Sequence, residues 1–136
     1  MAKNSFLDSS VLIGFFNPLD VHHKQAKIVL AELTKEASVF YIHPFVISES
    51  LSILKMRIDK EILKKCEQVL LNDEHFTILE DFFSFEHDAS IWEYFNGKNN
   101  LSFVDAAILD YCLENGYELI TFDKELEKIY KKQKEN

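Results

Sequence analysis

Leu101-Ser102-Phe103-Val104-Asp105-Ala106-Ala107-Ile108-Leu109 is the stretch around which the rest of the chain is organised. Ser102 precedes Asp105 by three residues in a run that is otherwise apolar. A serine so placed caps a helix by accepting from a first-turn N–H, and the acid then falls where a helix start favours negative charge. From Phe103 to Leu113 only Asp105 and Asp110 are charged. A helix apolar on nearly all sides is a buried helix. Asp105 is therefore an acid at the mouth of a buried helix, and the expectation is that it shares a metal ion with other acids. Asp110, five positions on, points elsewhere on the helix and reads as a solvated or paired charge. Gly116 closes the helix in the position glycine favours just past a helix end.

An echo of this stretch stands near the start, Phe6-Leu7-Asp8-Ser9-Ser10. Residues 5–7 read as a buried strand that ends at Asp8. Residues 11–16 read as a short helix broken by Asn17-Pro18. Ala26, Val29, Leu30 and Leu33 recur at helical spacing over residues 20–33, with Asp20 as the expected cap. Residues 39–43 are rich in strand formers, and Pro44 then suits a first helical turn. The helix that follows carries Phe45, Val46, Leu51, Ile53, Leu54 and Met56, with Glu49 on its apolar stripe. A glutamate there is costly to bury unless it is neutralised or paired. Residues 60–71 read as an amphipathic helix, 76–79 as a third strand, and 84–95 as a helix with Ile91, Trp92 and Phe95 turned inward. Residues 118–122 form the fourth expected strand, with Asp123 at its end. Residues 124–136 read as a charged helical tail.

Short apolar strands alternating with helices imply an α/β fold, a parallel sheet of about four strands covered on both faces in three α/β/α layers. The chain of 136 residues is expected to be one domain. Apolar residues at 47% and 12 Phe suit a packed core of that size. No apolar run is long enough to span a membrane, and Met1-Ala2-Lys3-Asn4 lacks a signal peptide's apolar core. Cys66 and Cys112 form no metal-type pair, which suits buried thiols in a reducing cytoplasm. A net charge of −8 argues against a protein that simply coats nucleic acid. Acidic side chains that gather divalent cations, and through them a polyanion, remain open.

Asp8 and Asp123 close strands, while Glu49 and Asp105 lie near the starts of helices. In an open α/β sheet all four belong at the carboxyl edge, where ligands bind. Carboxylates drawn into one crevice do not all stay ionised without cations. Oxygen donors of this hardness suit Mg²⁺ or Mn²⁺ rather than zinc. The bland reading of Asp8, Asp105 and Asp123 is a helix cap or a helix-start charge, and that of Glu49 is a wet rim position. His22, His23, His43, His75 and His87 form no spaced ligand set. Gly14, Gly97 and Gly116 form no phosphate loop. Lys128, Lys131, Lys132 and Lys134 read as a solvated face before they read as phosphate contacts.

At these residues the chain resembles the PIN-domain nucleases. Their pattern is an aspartate closing the first strand, a glutamate in an early helix, an aspartate in a Ser-Phe-x-Asp-Ala phrase and one in a Thr-Phe-Asp-Lys phrase. Here those read Phe6-Leu7-Asp8-Ser9-Ser10, Val46-Ile47-Ser48-Glu49-Ser50-Leu51, Leu101-Ser102-Phe103-Val104-Asp105-Ala106-Ala107 and Leu119-Ile120-Thr121-Phe122-Asp123-Lys124. The small size looks most like the VapC-type toxins of prokaryotic toxin–antitoxin pairs. Ser10 stands where many members carry Asn, and the helical tail stands where many add a fifth strand.

The resemblance implies an Mg²⁺- or Mn²⁺-dependent endoribonuclease with Asp8, Glu49, Asp105 and Asp123 as catalytic and metal-binding residues. Asp8 and Asp105 are the expected primary ligands, Glu49 and Asp123 complete the shell or orient water, and Ser10, Ser102 and Thr121 support them. It also implies an RNA substrate, a cognate antitoxin and a homodimer; Phe15, Phe16, Phe82 and Phe83 are candidate contact residues, with ordinary core packing the favoured reading. The alternatives are a catalytically inert PIN-like module binding RNA or protein, and a metal-dependent phosphatase of small substrates.

Overall fold

Phe6 and Leu7 are wholly buried in the strand that lies between two others. The structure, a computed structural model, describes residues 4–36, 39–80 and 89–135. Strand β1 (Asn4–Leu7) leads into helices α1 (Ser9–Phe16) and α2 (His23–Lys35), then β2 (Val39–Ile42). Helices α3 (Pro44–Arg57) and α4 (Lys60–Asn72) carry the chain to β3 (Phe76–Ile78). Helices α5 (Ala89–Phe95) and α6 (Phe103–Asn115) lead to β4 (Glu118–Ile120), and α7 (Lys124–Glu135) follows. The four strands are all parallel, in the order β3-β2-β1-β4. Successive strands thus build outward from β1 on one side, and β4 then returns to the other. The gap between β1 and β4 is a switch point, the place where open parallel sheets bind ligands at their carboxyl edge.

Local chemistry explains the helix starts. Pro44 takes the first helical position of α3, and the Nδ1 of His43 accepts the Phe45 N–H at 3.0 Å. The Asp59 carboxylate accepts from Ile62 N–H at 2.9 Å and caps α4. At α6, Ser102 and Asp105 form a reciprocal capping box, each accepting the other's N–H at 3.1 Å. Gly116 ends α6 at φ 69°, a left-handed conformation, and its N–H donates to Cys112 O.

Two expectations are corrected. Asp20 does not cap the next helix: it accepts from His22 N–H at 3.0 Å within a turn, and α2 begins at His23 without a side-chain cap. Trp92 and Phe95 do not turn inward. They remain 36% and 38% exposed and pack around Phe103, Phe95 edge-on and Trp92 tilted, while Ile91 alone of the three is buried. Of the two readings open for Asp110 the paired one holds: it is 5% exposed and accepts from the Ser90 hydroxyl. Phe15 and Phe16 pack together and against Phe76 as part of the core. Phe82, Phe83 and the first part of the helix expected over 84–95 lie outside the described residues. No helix among the described residues is long and apolar enough to cross a membrane.

Candidate active site

Asp8 follows β1 and is the first residue beyond the sheet at its carboxyl edge. It is 3% exposed, so its oxygens need donors from the protein. Its Oδ1 accepts from Ser9 N–H at 2.7 Å. Its Oδ2 accepts from the Ser10 hydroxyl at 2.9 Å and the Thr121 hydroxyl at 2.6 Å. Those hydroxyls also serve as acceptors. Ser10 Oγ takes the Phe122 N–H and Thr121 Oγ1 takes the Asp123 N–H, each at 3.0 Å. The start of α1 and the turn after β4 are therefore clamped together through one carboxylate.

Glu49 reaches this cluster from the second turn of α3. Its Oε1 accepts from the Ser9 hydroxyl at 2.5 Å. The same hydroxyl lies 3.4 Å from Asp8 Oδ1, so Ser9 stands between the two acids. That contact supplies the pairing a glutamate on an apolar stripe requires. Asp123 Oδ1 accepts from Glu125 and Leu126 N–H at 3.0 and 3.2 Å and begins α7. The starts of α1, α6 and α7 thus carry Asp8, Asp105 and Asp123, and the positive end of each helix dipole favours its acid.

The Asp105 carboxyl is raised to about 6: burial is the largest cause, the nearby Asp8 and Asp123 carboxylates add to it, and the Ser102 bonds oppose it. The structure therefore gathers Asp8, Ser10, Thr121 and Asp123 in one hydrogen-bonded chain, ties Glu49 in through Ser9, and sets Asp105 within electrostatic reach. Ser102 touches the cluster only through Asp105. The cap readings also hold, for Asp8, Asp105 and Asp123 each bond a helix-start N–H.

Residues 5–132 match the sequence profile of the family described as PIN domain. The chain belongs to the PIN domain family. The fold agrees with the crystal structure of Mycobacterium tuberculosis VapC20, described as a Sarcin-Ricin loop cleaving toxin. The TM-score is 0.76 at 19% sequence identity, over 93% of this chain and 95% of that one. No curated protein matches the chain significantly.

Within this PIN domain, Ser9 is the site residue that sequence reasoning missed. Its partner Glu49 lies forty positions away in sequence, so no local signal marks it. Among the described residues, no three His, Cys, Asp or Glu side chains form a group poised to hold a metal ion. The donor chemistry nonetheless suits one. The acids offer only oxygen, and a carboxyl raised by burial and by two neighbouring carboxylates marks a place where a cation relieves repulsion. Mg²⁺ keeps several of its waters, so it needs no closed protein cage.

Proposed function

We propose that this PIN domain is a divalent-metal-dependent endoribonuclease, the toxin of a toxin–antitoxin pair. The observation that carries the reading is the gathering of Asp8, Glu49, Asp105 and Asp123 at the carboxyl edge beside the β1–β4 switch point. Membership of the PIN family and likeness to the VapC20 fold support it. Asp8 and Asp105 would hold Mg²⁺ or Mn²⁺, with Glu49 and Asp123 completing the shell or orienting water. When bound, the cation supplies an activated water and charge stabilisation at the scissile phosphate. Ser10 and Thr121 keep Asp8 aimed, and Ser9 does the same for Glu49. A cognate antitoxin and a second copy of the chain are the proposed protein partners. The two free, buried cysteines fit a reducing cytoplasm.

A second reading, a PIN-like module that binds RNA or protein without cutting, draws on the absence of a closed ligand group among the described residues. One experiment separates the two. A structured RNA pool is incubated with wild type and Asp105→Asn in Mg²⁺, Mn²⁺ or EDTA. The nuclease reading expects metal-dependent cleavage that falls at least about 100-fold in the variant. RNA binding with no turnover in either metal would establish the binding module instead.

A further inference from the structure

The free side of β4 is the feature that the proposed chemistry does not use. This strand is at the edge of the sheet. The Asp8 N–H donates to Ile120 O, so Ile120 turns its backbone towards β1. By the alternation of a strand, Leu119 turns its N–H and C=O to the open side. Tyr117, two residues earlier, follows the same side, and its carbonyl is taken by the Tyr130 hydroxyl of α7 at 2.8 Å. Leu119 has no such cover, and among the described residues its outward groups have no partner. All of residues 118–122 line one groove of about 520 Å³ between α2 and α7.

The groove is also charged in a definite way. Lys124, Lys131 and Lys134 line it against Glu118 and Glu127. Glu127 is engaged by Lys131 at 2.8 Å. Lys134 is held over the Tyr130 ring, 5.6 Å from its centre. Two lysines thus remain against one acid, in a chain whose net charge is −8.

We infer that the β4 edge is a docking site for an extended, acidic polypeptide segment that pairs with Leu119 as a fifth strand. A bare strand edge is a template for strand addition, with main-chain bonds giving affinity and flanking side chains giving specificity. An RNA strand offers phosphates to the lysines but no alternating donors and acceptors for Leu119. An extended acidic segment offers both. The occupant also lies against Thr121 and Phe122, which are bonded to Asp8 and Ser10, so docking reaches the acidic cluster without entering it.

The test uses the full chain in EDTA, where RNA cleavage plays no part. The probe is a short, capped, fluorescent peptide of alternating valine and glutamate. Its comparators are the valine–lysine peptide, an N-methylated version that cannot donate along one edge, and an oligouridylate. The inference expects the acidic peptide to bind and to slow hydrogen exchange at the Leu119 amide. It expects the N-methylated form to lose binding, and Lys124→Glu with Lys134→Glu to weaken binding by about tenfold while leaving thermal unfolding unchanged. Equal binding by the N-methylated or lysine peptide overturns it. So does protection of Leu119 by oligouridylate or by raised protein concentration alone, or no protection by any probe.

Discussion

Asp105 is an acid whose proton affinity the fold raises. Its carboxyl sits at about 6 in the folded chain against an ordinary 3.8. The folded state therefore binds this proton more tightly than the unfolded one. The stability it contributes is full below about 4 and is lost as pH rises through about 6. Two units correspond to ~3 kcal/mol, and because water reaches part of the group we expect ~1–2 kcal/mol. Asp105→Asn, which keeps an acceptor for Ser102 N–H, should thus unfold at a higher temperature than metal-free wild type at pH 7. The gap should close towards pH 4. Thermal melts of both proteins in EDTA across that range check it, and a gap that widens on acidification would refute the account. Added Mn²⁺ should reverse the order at pH 7, since only wild type keeps the carboxylate that the cation stabilises.

At the scale of elements, helix ends explain both what the sequence disclosed and what it hid. Pro44 at the first turn of α3, Ser102 with Asp105 at α6 and Gly116 at its end are local signals, and each is realised within a residue of its expected place. Gly116 is required by its φ of 69°, not by crowding, since an added Cβ would meet nothing within 4 Å. Gly116→Ala should therefore cost ~1 kcal/mol through backbone strain alone. A melt showing a loss of a few degrees, with unchanged cleavage, is the expected result. The hidden features are those whose partners are distant in sequence. Asp110 finds Ser90 on α5 and Glu49 finds Ser9 on α1, and no periodicity announces such meetings. Trp92 and Phe95 have the spacing of an inward stripe, yet they gather around Phe103 at the surface while Ile91 takes the buried place. Asp20 has the right residue type for a cap but lies in the turn before α2, where backbone geometry and not residue type decides.

The whole molecule joins a strongly acidic surface to a proposed polyanionic substrate. A net charge of −8 gives no general attraction for RNA. Under the proposed function the strand order resolves this by concentrating carboxylates at one switch point, where a cation would bridge protein and phosphate. RNA binding itself, and not cleavage alone, should then depend on divalent metal. Filter binding of a non-cleavable RNA should show affinity in Mg²⁺ that EDTA lowers by at least about tenfold, with Asp8→Asn behaving like EDTA. Equal affinity in EDTA would assign RNA binding to lysines away from the acids. The alternation of strands and helices, the parallel sheet and the edge on which all four acids lie were legible from sequence, because they follow from order along the chain. Which acid would meet which hydroxyl was not, because that depends on how α1, α3 and the β4–α7 turn settle against one another.

Asp8, Asp105 and Asp123 each hold the first turn of a helix, and this bears on inheritance. An aspartate codon becomes an asparagine codon by one base change, and asparagine caps a helix about as well as aspartate does. The molecule is therefore a short mutational step from a copy that keeps its shape and loses its chemistry. If the chain is a toxin, such a copy is more than a harmless relic. It would still present the surfaces by which an antitoxin recognises the active form, and by occupying that antitoxin it would release its working sibling.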